Sequence, residues 1–96
     1  MRSARFEWDD NKARANFAEH NIDFEDAKLV FDDQGIVDDP DDTMDYGEER
    51  FRAVGMVNNC LVAVFYTLRD ARIRIISSRK ATRLEQVGYA EQNSPR

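Results

Sequence analysis

The chain has 96 residues, of which 42% are apolar and 10% aromatic, and its formal net charge is −5. This length allows one domain with one hydrophobic core, and the aromatic content argues against disorder. There is no run of about 18 apolar residues and no signal-peptide core near the start, so we expect a cytoplasmic protein without a membrane span. Cys60 is the only cysteine, which excludes an internal disulfide, and we interpret it as a buried, inert thiol.

The charges are unevenly distributed along the chain. Residues 1–50 carry 6 basic and 16 acidic side chains, whereas residues 69–96 carry 7 basic and 3 acidic ones. This asymmetry favours two surfaces with different partners, one anionic and one cationic. The alternative is that the acidic half only keeps a small protein in solution.

The first segments predict a short strand followed by two short helices. Phe6 and Trp8 alternate around Glu7 as in an edge strand. Asp9 is a typical N-cap for a helix over residues 10–20, and Asn21 suits the left-handed position that ends one. The buried stripe predicted for this helix consists of Ala13, Asn16, Phe17 and His20.

Asp23 is the predicted N-cap of the second helix, whose predicted buried stripe consists of Phe24, Ala27 and Phe31. Residues 32–35 then predict a turn, and residues 38–42 form a strongly acidic stretch. Clustered carboxylates can bind Ca²⁺ or Mg²⁺, but the spacing does not match an EF-hand loop. We therefore favour a solvated loop there.

Three closely spaced segments, residues 50–57, 60–67 and 72–77, predict an antiparallel meander. Asn58-Asn59 and Arg69-Asp70 are its predicted turns, and Phe6 or Ile36 can supply a short fourth strand. The predicted fold class is thus α+β, with two N-terminal helices, three to four antiparallel strands and a C-terminal helix. We expect one domain over residues 1–92 and a loose tail over residues 93–96.

The stretch from Arg72 to Tyr89 combines a strand, a turn at Ser77-Ser78 and a helix start. Thr82 and Glu85 have the spacing of a capping box, in which each side chain binds a backbone N–H of the first turn. The basic residues of this stretch are predicted to crowd around one strand-to-helix corner as a phosphate-sized positive site. They are Arg72, Arg74, Arg79, Lys80 and Arg83.

The remaining chemistry is limited, since one histidine and one cysteine exclude the usual zinc sites. Glycine-rich nucleotide loops and the G-x-S-x-G elbow are absent, so the sequence predicts no metal and no cofactor. Arginines can hold phosphates and stabilise the charge of phosphodiester cleavage, in which an RNA 2′-hydroxyl is the internal nucleophile.

Two further residues have open interpretations. His20 is a proton-transfer candidate at neutral pH or, alternatively, a hydrogen-bonded core or cap residue. Tyr89 can stack on a base, donate through its hydroxyl, or only pack the last helix on the sheet. The arginine cluster itself is either a catalytic site, a docking surface or a set of salt bridges to the acidic half.

Several pieces of the sequence occur in the order of a known family. They are Phe6-Glu7-Trp8-Asp9 with Lys12, Asn16-x-x-x-His20, residues 23–27, Phe31-Asp32-Asp33, residues 47–51, and residues 73–82 with Glu85 and Tyr89. With these pieces the chain resembles the BrnT family of bacterial type II toxins, small ribonucleases related in fold to the RelE toxins. Asp10 stands where that family commonly has proline, and Asn21 where it commonly has glycine.

The resemblance implies a compact RelE-like α+β fold and RNA cleavage that inhibits translation. It also implies neutralisation by a cognate BrnA-like antitoxin, a ribbon-helix-helix DNA binder, in a hetero-oligomer that contacts DNA only through the antitoxin. By position it assigns catalysis to His20, Arg74, Arg79 and Tyr89, with Ser77, Lys80 and Arg83 in support. With Arg72 added from the basic corner, the predicted RNA-binding residues are Arg72, Ser77, Lys80 and Arg83. The leading hypothesis is therefore a metal-independent endoribonuclease toxin, and the alternative is a non-catalytic module whose basic face docks nucleic acid or an acidic protein segment.

Overall fold

A computed structural model describes residues 5–42 and 47–95. The elements in chain order are β1 (Phe6–Glu7), α1 (Asp10–His20), α2 (Phe24–Ala27), a 3-10 helix (Lys28–Asp32), β2 (Val37–Pro40), β3 (Phe51–Val57), β4 (Cys60–Arg69), β5 (Arg72–Lys80) and α3 (Arg83–Gln92). The α+β class and the C-terminal helix are confirmed. No helix within the described ranges is long and apolar enough to cross a membrane.

The strands form one sheet in the order β1-β5-β4-β3-β2. The meander of β3, β4 and β5 is antiparallel as predicted, and β2 extends it in the same sense. β1 instead pairs in parallel with β5, with Glu7 opposite Arg74. The sheet therefore has one strand more than the three to four predicted, and it is mixed. The acidic stretch predicted as a loop lies partly in β2.

The cap signals and the two turns that join the strands of the meander are confirmed. Asn58 and Asn59 have φ values of 49° and 67°, and the next turn places Asp70 and Ala71 at positive φ, one residue later than predicted. Asp9 and Asp23 cap α1 and α2 by accepting from the N–H groups of Asn11 and Glu25, and Asn21 ends α1 at φ 58°.

One face of the sheet is covered by α1, α2 and the 3-10 helix, which enclose the main core. Phe24, Ala27 and Val30 are fully buried there, but Phe17 is 51% exposed, so the stripe predicted for α1 was wrong at that position. Asn16 occupies the buried side of α1 because its amide binds β5. It donates to the Ser78 hydroxyl at 2.8 Å and accepts from the Ser78 backbone N–H at 3.0 Å.

The predicted turn at Ser77-Ser78 was wrong, since β5 continues to Lys80. A bulge absorbs the irregularity: Tyr66 lies opposite Ile75 and Phe65 opposite Ser77, which leaves Ile76 as the extra residue. The extra residue shifts the alternation of side chains by one position. As a result Arg79 lies on the same face as Arg74, which a regular strand would have prevented.

Two smaller expectations also need correction or limits. Cys60 is half-buried and not buried as predicted. The predicted boundaries of the domain and the tail take in residues 1–4, 43–46 and 96, which lie outside the described residues. Within the predicted tail, the Asn93 amide donates to the Gly35 carbonyl at 2.9 Å.

Candidate active site

A groove of about 440 Å³ lies on the second face of the sheet, beside α3. This helix packs over Val54 and Ala63 through Tyr89. Phe65, Arg74 and Ser77, on the rest of that open face, remain partly exposed. The charged side chains of the described residues that line the groove are Asp39, Arg52, Arg79 and Glu85. Two arginines thus face two acids, so the groove has no net charge and depends on the placement of individual groups.

The start of α3 brings Glu85 into the groove. Thr82 is the N-cap, and its hydroxyl accepts from the Glu85 N–H at 3.2 Å, while the Glu85 carboxylate accepts from the Thr82 N–H at 2.8 Å. The predicted capping box is confirmed. Because the capping box directs Glu85 back toward the strand, its side chain is only 5% exposed.

Arg79 is fixed by this carboxylate in a bidentate pair. Its Nη1 donates to Glu85 Oε1 at 2.7 Å and its Nη2 to Oε2 at 3.1 Å, while its Cζ lies 5.1 Å from the centroid of the Phe65 ring. Burial alone would raise the pKa of Glu85, but the hydrogen bonds from Arg79 and from the Thr82 backbone, with the Arg79 and Arg52 charges, lower it. Glu85 is therefore ionised at neutral pH and unsuited to act as a general base.

The 3-10 helix places Asp33 under the far end of α3. The 3-10 helix packs closely on β3 at Gly55, where an added Cβ would lie 3.0 Å from the Val30 carbonyl oxygen. This close approach allows Asp33 Oδ2 to accept from the Met56 N–H at 2.8 Å.

Tyr89 also binds this carboxylate, donating its hydroxyl to Asp33 Oδ2 at 2.7 Å. The hydrogen bond to Asp33, some burial and the Asp33 charge raise the pKa of Tyr89. Burial acts to raise the pKa of Asp33, but hydrogen bonds from Met56, Tyr89 and Gly35 lower it. Tyr89 thus packs α3 on the sheet and lines the groove with its ring, and its hydroxyl already has an acceptor.

Three other predicted residues share this face of the sheet without lining the groove. Arg74 donates to Glu7 at 2.7 Å and lies five residues from Arg79, roughly 15 Å at the rise of a strand. Arg72 is two residues further away. Ser77 borders a separate depression of about 220 Å³ next to Phe65.

The remaining predicted residues lie elsewhere, so the expected crowding of five basic residues at one corner was wrong. Lys80 borders a different depression beside Cys60. Arg83 is exposed in the first turn of α3. His20 ends α1 on the opposite face of the sheet, with its Nε2 3.7 Å from a Glu19 oxygen. Of these basic side chains, only Arg79 reaches the groove.

The structure also brings two residues to the groove that sequence reasoning did not select. Arg52 Nη1 lies 3.4 Å from Glu85 Oε2, and Phe65 supports the Arg79 guanidinium. The alternation of Arg52 with Phe51 was a signal that Arg52 projects from the face opposite the core. Its proximity to Glu85 depends on long-range pairing. Within the described residues, no group of three or more His, Cys, Asp or Glu side chains is arranged to hold a metal ion.

A family model described as "Ribonuclease toxin, BrnT, of type II toxin-antitoxin system" matches residues 8–85. The chain belongs to the BrnT family. As a BrnT protein it is a ribonuclease toxin of a type II toxin–antitoxin system, with an antitoxin as partner and RNA as target. The match includes the groove residues Arg52, Arg79 and Glu85 of this BrnT chain and ends before Tyr89. A comparison with curated protein sequences found no match.

Proposed function

We propose that this BrnT toxin is a metal-independent endoribonuclease that acts in the cytoplasm, cleaves RNA in the groove beside α3 and so inhibits translation. The observation that carries the proposal is the way in which the Arg79 guanidinium is held. Its guanidinium is held by Glu85 and Phe65 at the wall of an open groove, in a chain that belongs to a ribonuclease toxin family. A fixed cation of this kind is suited to charge that develops only during the reaction.

The proposed reaction needs no cofactor, because RNA contains its own nucleophile. The 2′-hydroxyl gives its proton to water and attacks the adjacent phosphorus, the bond to the 5′-oxygen breaks, and that oxygen takes up a proton from water. A 2′,3′-cyclic phosphate and a 5′-hydroxyl result. Arg79 stabilises the additional negative charge on the non-bridging oxygens in the transition state, and the groove orients the nucleophile.

The other residues of the open face fit an RNA path. Arg74 and Arg72 lie further along β5, and Ser77 lies between them and Arg79. We propose that they bind phosphates or riboses on either side of the cleaved bond, where cationic side chains position the backbone. The Tyr89 ring forms the wall of the groove beneath α3.

His20 stays outside this proposal because it lies on the other face of the sheet. We therefore expect His20→Ala to cleave RNA at the wild-type rate. A loss of cleavage in a folded His20→Ala protein would mean that RNA contacts both faces.

The direct test is cleavage of a synthetic RNA by the purified chain in EDTA. Arg79→Ala is expected to lower the rate by about 10²- to 10³-fold, the effect of removing a preorganised donor. Arg14→Ala, which removes an exposed arginine from α1 on the opposite layer, is the matched control. Cleavage lost on metal removal would contradict the metal-independent mechanism. Salt-dependent binding without product would instead favour the non-catalytic module.

The biological test follows growth and translation after induction of the chain alone and with the product of the neighbouring gene. Arrest by the chain alone, and relief by a BrnA-like partner that co-purifies with it, are expected. The arrest should disappear with Arg79→Ala. Normal growth in the presence of folded wild-type protein would refute the toxin role of this groove.

A further inference from the structure

We propose that Glu85 is a positioning residue that holds Arg52 and Arg79 as one two-arginine clamp, which makes Arg52 a second phosphate-binding residue. This inference rests on the proposed function, since the clamp binds the RNA that is cleaved in the groove. Neither Glu85 nor Arg52 was assigned a role by the family pattern.

The geometry of the carboxylate separates two tasks. Oε1 accepts from the Thr82 N–H at 2.8 Å and from Arg79 Nη1 at 2.7 Å, so it serves both the capping box and the arginine. Oε2 makes no contribution to the cap. It accepts from Arg79 Nη2 at 3.1 Å and lies 3.4 Å from Arg52 Nη1. The second oxygen therefore bridges the two guanidinium groups.

The exposures agree with a buried holder and two accessible donors. The side chain of Glu85 is 5% exposed, whereas those of Arg52 and Arg79 are 38% and 31% exposed. Each guanidinium has five N–H donors, and the carboxylate occupies only part of them. The remaining donors can bind phosphate oxygens from the groove.

The two arginines come from different strands, which explains why a common partner is needed. Arg52 lies on β3 and Arg79 on β5, with β4 between them. Long arginine side chains lose substantial rotamer entropy when they bind a ligand. A shared carboxylate fixes both side chains before RNA arrives, and preorganisation of this kind strengthens binding and catalysis.

A neutral side chain could replace Glu85 in the helix cap but not in the clamp. Glutamine has a carbonyl oxygen that can accept from the Thr82 N–H, and it can occupy the same capping-box position. It lacks the negative charge and the second acceptor that hold the arginines. Glu85→Gln therefore separates the structural task from the positioning task.

The first experiment measures kcat and KM for cleavage of a short RNA by Glu85→Gln. We expect the kcat/KM ratio to fall by about 10²-fold, with a large part of the loss in kcat, because a displacement of about 1 Å in a positioning group has this effect. Glu25→Gln removes the same charge from α2 on the opposite layer, where Glu25 pairs with Lys28 at 2.8 Å, and should cleave like wild type. Thermal unfolding of both proteins establishes that they are folded.

The second experiment tests Arg52 and the coupling without any cleavage. The probe is a 2′-O-methyl oligoribonucleotide, which lacks the nucleophile. Arg52→Ala should weaken its binding at least about tenfold, as expected for loss of a charge-assisted hydrogen bond. In an Arg52→Ala/Arg79→Ala protein, Glu85→Gln should have no further effect, because the residues that it positions are gone.

The outcomes distinguish this inference from the proposed function. If wild type cleaves RNA and Glu85→Gln or Arg52→Ala cleaves and binds equally well, the clamp is refuted and the nuclease assignment stands. If wild type binds the probe through Arg52 but does not cleave RNA, the clamp stands and the proposed function fails. If Glu85→Gln does not fold, binding of the 2′-O-methyl probe to Arg52→Ala tests the clamp. Unchanged binding refutes the clamp, and weakened binding supports it. Full additivity of Glu85→Gln with the double arginine variant would also overturn the positioning role.

Discussion

Removal of the Tyr89 hydroxyl distinguishes a structural role of this group from a catalytic one. The family pattern places Tyr89 among the catalytic residues, whereas the structure has its hydroxyl donating to Asp33 at 2.7 Å. Tyr89→Phe removes this hydrogen bond and keeps the ring in the groove. We expect a loss of stability and a cleavage rate close to that of wild type.

The magnitude follows from the contacts of Asp33. A hydrogen bond to a charged group contributes about 1.5–3 kcal/mol, and water can replace part of it because both side chains are half-buried, so we expect about 1–2 kcal/mol. For a domain of this size each kcal/mol lowers Tm by roughly 4–8 °C. Asp33 keeps the N–H groups of Gly35 and Met56, which limits the damage.

The assay is thermal unfolding followed by circular dichroism, at neutral and at acid pH. The pKa of Asp33 is lowered on folding, so its contribution is present above the unfolded value of 3.8 and is lost as the pH falls through the folded value. The difference in Tm between wild type and Tyr89→Phe should therefore become smaller as the pH falls below 3.8. Tyr66→Phe, which breaks a 2.7 Å hydrogen bond to Asp38 on the opposite face, is the matched control for stability. Unchanged Tm together with abolished cleavage in Tyr89→Phe would contradict the structural role of the hydroxyl and give it a catalytic one.

Three further predictions concern stability. Thr82→Ala removes the hydroxyl that accepts from the Glu85 N–H and should lower the free energy of unfolding by about 1 kcal/mol in urea, and an unchanged value would mean that the capping box is not formed in solution. Asn16→Ala removes the buried partner of the Ser78 N–H and hydroxyl. It should lower the free energy of unfolding by about 2–4 kcal/mol in the same assay, and a decrease of less than ~0.5 kcal/mol would contradict the buried network. The pKa of Glu85 is lowered on folding, so wild type should lose stability as the pH falls below the unfolded value of 4.5. The unfolding free energy of Glu85→Gln should depend less on pH over that range, and parallel pH profiles of the two proteins would contradict the ion pair.

The local signals of the sequence were sufficient for the helix caps and for the turns between the strands of the meander, but they were wrong at Ser77-Ser78. Asp9, Asn21 and the Thr82–Glu85 pair act within three or four residues of their own position, so their roles can be recognised without a partner element. The alternation of Arg74 with Ile73 and Ile75 likewise predicted the two faces of β5, and Ile75 is buried.

The site itself depends on pairings that a single sequence does not reveal. Ser77 and Ser78 have the composition of a turn, but Asn16 binds Ser78 from 62 residues away and β5 continues. The bulge at Ile76 then decides on which face Arg79 lies. A regular strand would have directed Arg79 into the helix-covered core.

The arginine partners were similarly hidden. Glu7 reaches Arg74 because β1 pairs in parallel with β5, 67 residues apart in sequence. Arg52 reaches Glu85 because α3 packs over β3 on the face from which Arg52 projects. The sequence therefore predicted a basic segment correctly but not which of its members share a cavity. Long-range register, and not residue type, selected Arg79 from the group.

The outer strand β2 has a consequence for how copies of this toxin meet one another. It carries Asp38 and Asp39 and ends at Pro40, which has no N–H to donate. Two such edges repel each other at neutral pH and cannot complete a continuous ladder. Two copies of this toxin are therefore not expected to join through their β2 edges.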